Sequence, residues 1–169
     1  MPSVQEDAMQ YTAIGQDSHR FVPEGTEKPL VLGGVAIPGS PGLDGNSDAD
    51  VVLHAVTNAV SGATGVNILG AVSDRMCLVE GIRDSVAYLE EALRHLEGAR
   101  PVHLSISLEC ARPKLAAHIP EIRSRLAGLL GLAERHVGIT ATTGEGLTAF
   151  GRGEGIFCTA LLTVSDSAS

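Results

Sequence analysis

The apolar residues of this chain change period repeatedly, from about two to about 3.6 and back, and this alternation restricts the fold more than any other feature. A period of two puts every second side chain on one face of a strand, and a period near 3.6 gathers them on one side of a helix. Thr12 to Gly15 and Leu30 to Ile37 have the strand period, the second broken by Gly33-Gly34, which predicts a hairpin between or within them. Ser47-Asp48-Ala49-Asp50 has the pattern of a capping box opening a helix to about Ala63, with Val51, Ala55, Val56 and Ala59 at helical spacing. A second helix is expected from about Arg83 to Glu97, where Val86, Leu89, Leu93 and Leu96 face one way. Val102 to Leu108 alternates as a strand with one wet face, and Pro120 sits just inside a third helix that ends near Leu130. Val137 to Thr142 and Ile156 to Val164 close the chain as strands, and the nearly continuous apolar run of the last predicts burial on both its faces. Strands and helices mixed over 169 residues give one α/β domain, an α+β two-layer sandwich whose small mixed sheet carries helices on one face. The domain is expected at 12–164, with a flexible segment at 1–11 and a flexible tail at 165–169.

Composition narrows the function. Hydrophobic residues make up 44% of the chain but only 3% is aromatic, so Ala, Val, Leu and Ile fill the core and stacking platforms for nucleic acid are not expected. The formal charge of -8 repels a polyphosphate backbone, so nucleic acid is excluded as a general partner. No apolar run approaches the roughly 20 residues that span a bilayer, and Met1 to Asp7 lacks the pattern of a signal peptide. A cytoplasmic protein with no membrane partner is the expectation. Cys77, Cys110 and Cys158 are odd in number and widely spaced, so neither a disulfide framework nor a zinc knuckle is available, and a metal would be held by His and carboxylate. A mean hydropathy of +0.17 leaves more apolar surface than one such domain easily hides, which predicts a homo-oligomer.

Several short segments can carry chemistry, each with a plainer alternative. Asp17 and His19 flank Ser18 just after an apolar strand; in extended chain both point one way, as half of a zinc site or as a loop bonding its own backbone. His54 lies among Val51, Val52, Leu53, Ala55 and Val56, either as a satisfied core histidine or as a ligand, and Asp50 four residues earlier either orients it or caps the helix. Thr140 to Leu147 follows a strand and is rich in hydroxyls and glycine, which suits a phosphate chain with a hard cation, or an ordinary turn; it is not a P-loop. Gly151-Arg152-Gly153-Glu154-Gly155 is either a ligand site or a buried or inter-subunit Arg–Glu pair. Arg112-Pro113-Lys114 offers two cations to a phosphate or to water.

Taken together, Gly15 to His19, Leu32 to Val35, Ser47 to Ala55, Pro113-Lys114 with His118-Ile119-Pro120, Ala141-Thr142-Thr143 and Gly151 to Gly155 resemble the 2-C-methyl-D-erythritol 2,4-cyclodiphosphate synthase family in order and spacing, over about residues 12–164. The resemblance implies a homotrimer with active sites between neighbours, and a cytidine diphosphate-linked substrate, 4-diphosphocytidyl-2-C-methyl-D-erythritol 2-phosphate, cyclised by a metal-dependent phosphorus-oxygen lyase with release of CMP. By position it implies Zn²⁺ on Asp17, His19 and His54, and a second divalent cation, Mg²⁺ or Mn²⁺, on Glu145 and the substrate diphosphate. It assigns transition-state stabilisation to Thr143, diphosphate and cytidine contacts to Thr142, Thr143, Gly144 and Glu145, and the cytosine pocket to Cys110, Ala111, Arg112, Pro113 and Lys114 onward. Ser18 and Ser47 are substrate contacts in the same scheme, and Arg152 is one too, beside Glu154 near the threefold axis. A partner enzyme of the same pathway is left open.

The chain departs from the family pattern at the sugar end. Asn46 stands ahead of Ser47 where His is usual, replacing a catalytic donor by an amide that gives a hydrogen bond without charge. The methylerythritol loop reads Asn67-Ile68-Leu69 to Asp74, one residue shorter, with Asn67 and Asp74 as its expected contacts. Gly146 replaces the lysine after Glu145, and Ala149 stands where Phe is usual. An intact metal set beside an altered clamp fits a divergent synthase; the alternatives are a paralogue acting on another nucleotide diphosphate and a non-catalytic trimeric diphosphate-binding protein.

Overall fold

A four-stranded mixed sheet in the order β1-β6-β4-β5 forms one layer of the protein, in a computed structural model that describes residues 8–166. Strand β1 is Gln10–Arg20, β4 Arg100–Glu109, β5 Val137–Thr142 and β6 Gly155–Ser165; β6 runs antiparallel to both neighbours, and β4 and β5 are parallel. Helices α1 (Val51–Thr64), α2 (Ala71–Leu78), α3 (Ser85–Leu93) and α4 (Ile119–Leu130) accompany the sheet, and β2 (Pro29–Leu32) with β3 (Val35–Pro41) forms a separate two-stranded ribbon. The expected sandwich is therefore present. The core lies between sheet and helices and is aliphatic: Leu104, Ile106 and Leu108 of β4 meet Ile156, Cys158, Ala160 and Leu162 of β6 under a nearly enclosed α1.

Strand β1 continues to Arg20, so Asp17 and His19 lie within a strand and not beyond its end. The apolar alternation stops at Gly15, but backbone pairing with β6 goes on, Asp17 opposite Cys158 and His19 opposite Ile156. Gly15 sits where α1 crosses: a Cβ there would come 2.1 Å from the Ala55 carbonyl oxygen and 2.3 Å from the Ala59 nitrogen. Only glycine permits that approach.

The Leu30 to Ile37 run is a hairpin within itself, turned by Gly33 and Gly34, both with left-handed backbone (φ 62° and 76°) as a two-residue primed turn requires. Asp50, not Ser47, caps α1. Its carboxylate accepts from the Val52 and Leu53 N–H groups (3.1 and 3.0 Å) and from those of Gly33 and Gly34 (2.8 and 2.7 Å), so cap and hairpin turn share one anion.

Three expectations are corrected. Strand β6 is buried on one face only: Ile156, Cys158, Ala160, Leu162 and Val164 are enclosed, whereas Leu161 is 43% exposed opposite Ile14 at 58%, because no second layer covers that side of the sheet in a single chain. The 67–74 segment is not all loop, since α2 begins at Ala71 behind Gly70, where the Ser73 hydroxyl bonds back to residue 70. The second helix closes at Leu93 and tightens into a 3₁₀ turn at Arg94–Leu96. At the ends, pairing extends from Gln10 to Ser165, while the parts of the two expected flexible segments at residues 1–7 and 167–169 lie outside the described residues.

Candidate functional site

Strand β1 delivers Asp17 and His19 to the core side of the sheet, and the close crossing at Gly15 brings His54 of α1 against them. His54 Nδ1 is 2.9 Å and His19 Nε2 3.0 Å from Asp17 Oδ2, and the two ring nitrogens are 3.2 Å apart. The outer nitrogens are engaged as well. His19 Nδ1 is 2.8 Å from the Asp44 carbonyl oxygen, which can only accept, so the proton is on Nδ1 and Nε2 turns a lone pair inward. His54 Nε2 is 2.9 Å from the Ser85 hydroxyl at the start of α3.

This donor set fits a divalent cation. The three ligand atoms lie within 4.8 Å of one another, the largest such grouping of His, Cys, Asp and Glu among the described residues. Burial pushes the Asp17 carboxyl up, but hydrogen bonds with His19 and His54 and attraction to both rings outweigh it and hold the group at about 2. His19 is pushed down by burial yet ends above its usual value because of Asp17 and the Asp44 carbonyl. Each group therefore favours the state in which the anion faces positive charge, which is what a cation in their midst supplies.

A cavity of about 320 Å³ opens over these residues and is also lined by Asn46, Ser47 and Asp74. Lys28, which the sequence did not single out, donates to the carbonyls of Gly45 (2.9 Å) and Ser47 (2.8 Å) and so shapes the turn that presents Asn46. Asn67 is exposed and lies outside this cavity, whose wall on that side is made by Leu69 and by Ser73, Asp74 and Cys77 of α2.

A second cavity, of about 210 Å³, gathers Cys110, Pro113, Lys114, Thr142 and Thr143, and shares no lining residue with the first. The Cys110 thiol donates to the Arg112 carbonyl oxygen (2.7 Å), and burial raises it to about 11, so it is neither a nucleophile nor a thiolate ligand at neutral pH. Gly144 and Glu145 stand beside this cavity and not in it. Thr142 Oγ1 accepts from Gly144 N (3.2 Å), Thr143 Oγ1 bonds Glu145 Oε1 (3.4 Å), and Glu145 holds a left-handed backbone at φ 51°. Glu109 at the end of β4 accepts from the Thr148 hydroxyl, which in turn accepts from Gly151 N (3.0 Å), and so ties this loop to the sheet.

The remaining expected residues are apart from both cavities. Ser18 faces the uncovered side of the sheet with Arg20 and Glu154, and Ala111 donates its N–H to the Phe150 carbonyl. Arg112 stacks over Phe21, 5.4 Å from the ring centre, and Arg152 pairs with Glu154 at 3.1 Å with both side chains about half exposed. The buried form of that pair is absent in the single chain. Ser85, Asp48 and Lys28 join the site without a sequence signal: they are long-range partners whose local patterns read only as cap, helix start and loop.

Comparison with known proteins bears on the whole chain. The YgbB family model matches residues 11–165. The 2-C-methyl-D-erythritol 2,4-cyclodiphosphate synthase of Chlamydia trachomatis serovar L2b is 47% identical over 154 residues, covering 90% of this chain and 86% of that protein. A solved 2C-methyl-D-erythritol-2,4-cyclodiphosphate synthase superposes with a TM-score of 0.75 at 34% identity over 91% of this chain and 99% of its own, and its CDP-bound form does so at 0.74 and 33% over the same shares. The bifunctional IspDF of Campylobacter jejuni superposes with a TM-score of 0.85 at 29% identity, covering 95% of this chain and 43% of that one.

Proposed function

The chain belongs to the YgbB family, and from that premise we propose that it converts 4-diphosphocytidyl-2-C-methyl-D-erythritol 2-phosphate to 2-C-methyl-D-erythritol 2,4-cyclodiphosphate, releasing CMP. The observation that carries this reading is the convergence of Asp17, His19 and His54 at the floor of a cavity also lined by Asn46 and Ser47. An oxygen of the substrate's 2-phosphate bonds to the β-phosphorus, and the bond from that phosphorus to the CMP oxygen breaks. Because a phosphate monoester loses its second proton near pH ~6, the attacking group is largely dianionic at neutral pH and needs no base. The residues of the site have placement and charge compensation to supply instead.

Asp17, His19 and His54 are assigned to Zn²⁺, whose preference for nitrogen and carboxylate donors they meet, and Glu145 to a second cation, Mg²⁺ or Mn²⁺, with the substrate diphosphate. Bound there, the cations supply Lewis-acid neutralisation of phosphate charge. Asn46 donates an amide N–H toward the transferring phosphate, and the Thr143 hydroxyl does so from the other side. Cys110, Pro113 and Lys114 with Thr142 to Glu145 hold the cytidine diphosphate, in line with the CDP-bound form of the related synthase. Asp74 meets the methylerythritol hydroxyls from α2. A cytoplasmic homotrimer, with one chain's metal cavity facing the next chain's nucleotide cavity, is part of the same reading; the uncovered sheet face and the absence of a shared lining residue support it.

The test is CMP release. Protein loaded with Zn²⁺ and Mg²⁺ is expected to give CMP and the cyclic diphosphate in equal amounts. No CMP from such protein would overturn the reading, and turnover of a different nucleotide diphosphate alone would replace it with the paralogue, to which Asn46 and the α2-built wall point.

A further inference from the structure

We propose that Ser85, held by Asp48, is a positioning residue that keeps the His54 proton on Nε2 and so presents Nδ1 to the metal as a bare lone pair. The proposal rests on the metal centre of the reading above and explains why that centre is built to need a cation.

The argument is a proton count. A neutral imidazole carries one N–H, on either ring nitrogen. On Nδ1, the proton of His54 would point at Asp17 Oδ2, 2.9 Å away, and the carboxylate and ring would satisfy each other with no ion between them. On Nε2, it points at Ser85 Oγ, also 2.9 Å away. Ser85 has one hydroxyl proton and decides between the two. Its Oγ is hydrogen-bonded to Asp48 Oδ1, and an ionised carboxylate only accepts, so the serine proton goes to Asp48 and Oγ is left to accept from His54 Nε2–H.

Asp48 is fixed in that duty by its other partners. Oδ2 accepts from Ser85 N (3.1 Å), Oδ1 accepts from Asp50 N (3.1 Å), and the Asp48 N–H donates to the Arg83 carbonyl (2.9 Å). Ser85 is fully buried and His54 is 8% exposed, so water does not readily replace the bond between them. With the His19 proton already committed to Asp44, both rings then turn lone pairs toward the Asp17 carboxylate, three electron-rich atoms within 3.2 Å of one another. With both rings neutral, such a cluster is repulsive until a cation, or a second proton on His19, enters it. Outer partners of this kind are worth roughly 10- to 100-fold in metal affinity.

The test uses the full chain and two readouts besides turnover. Two-bond proton–nitrogen NMR of the metal-free protein, above the histidine titration range, reports which nitrogen of each ring is protonated. Zinc affinity is measured by competition with a chromophoric chelator. The wild type is expected to show His54 protonated at Nε2; Ser85→Ala is expected to move that proton to Nδ1 and weaken zinc roughly 10- to 100-fold. Asp48→Ala keeps Ser85 but removes the carboxylate that takes its proton, which frees the hydroxyl to donate to His54 Nε2, so the same shift of tautomer and the same direction in zinc affinity are expected even where Ser85→Ala folds poorly. A wild-type His54 protonated at Nδ1, or a folded Ser85→Ala protein with wild-type zinc affinity, overturns the proposal. Failure of the wild type to bind zinc at all refutes the metal centre instead, and the tautomer measurement then decides the role of Ser85 by itself.

Discussion

Replacing Gly15 by alanine should dismantle the metal centre without touching a ligand. The added Cβ would stand 2.1 Å from the Ala55 carbonyl oxygen and 2.8 Å from the Asn58 carbonyl carbon, whereas ordinary contact begins at 3.4 Å. Helix α1 must therefore retreat from β1 by about 1.3 Å, since the obstructing atoms are backbone and cannot rotate away. His54 precedes Ala55 in the helix and Asp17 follows Gly15 by two residues in the strand, so nearly the whole retreat opens the gap between Asp17 Oδ2 and His54 Nδ1, now 2.9 Å. Metal sites tolerate roughly ±0.2 Å in ligand position, several times less than this. Zinc affinity should fall roughly 10- to 100-fold, as for a lost ligand orientation, while overpacking costs about 1–3 kcal/mol and lowers Tm by roughly 2–12 °C. Chelator competition and a thermal melt measure both. Gly62→Ala is the control: its Cβ would meet Ala13 Cβ and the Ile14 carbonyl at 3.4 Å, an ordinary contact, and zinc binding should be unchanged. A Gly15→Ala protein that binds zinc as tightly as wild type would refute the claim that the helix–strand crossing sets the ligand spacing.

Asp50→Ala removes the acceptor of four buried or half-buried N–H groups and should cost about 2–4 kcal/mol in a urea titration, with an unchanged midpoint counting against the shared cap. In metal-free protein the Asp17 carboxylate, lowered from 3.8 to about 2, contributes stability that is fully present above pH 3.8 and fades as pH falls through 2. His19, raised above 6.5, contributes stability that is fully present below 6.5 and is lost as pH rises, so the apo site stabilises the fold most between pH 3.8 and 6.5. Zinc reverses the upper limb, because its binding displaces the second His19 proton, the one on Nε2, and tightens with pH; apo and zinc-loaded melts that move in parallel from pH 6 to 8 would contradict this. Lys28→Met should lower kcat more than it raises KM, by freeing the turn that carries Asn46, and an unchanged kcat would argue against that role.

The grouping of Asp17, His19 and His54 was legible only through the family resemblance: spacing put Asp17 and His19 on one side of an extended chain, but that pattern also suits a loop bonding its own backbone, and His54 among apolar neighbours also suits a satisfied core histidine. The layer architecture was legible directly, through the period of the apolar residues. Helix α2 was not. Asp74 and Arg75 sit within it, few of its residues are buried, and its start is a glycine closed by a serine hydroxyl, so periodicity has little to register. The polar half of β1 was missed because backbone pairing, not side-chain pattern, keeps Gln16 to Arg20 extended. The one-sided burial of β6 is a property of what lies over the sheet, which no run of apolar letters encodes. Ser85, Asp48 and Lys28 act across 31 residues, 37 residues, and 17 and 19 residues of chain respectively, and contacts of that reach appear only once the fold exists.

The anion shared by the hairpin turn and the helix cap has a consequence for how the protein opens. An amide in an exposed two-stranded ribbon normally exchanges its hydrogen as often as the ribbon frays. The Gly33 and Gly34 amides are tied instead to Asp50, so their exchange has to wait for the first turn of α1, and ribbon and helix start form one cooperative unit. The His54 N–H is bonded to the Asp50 carbonyl at 2.9 Å, one turn into the same unit. A fluctuation that lifts the ribbon therefore also loosens the helix start that carries His54, and exchange at the Gly33 and Gly34 amides would report on the lifetime of the candidate metal site.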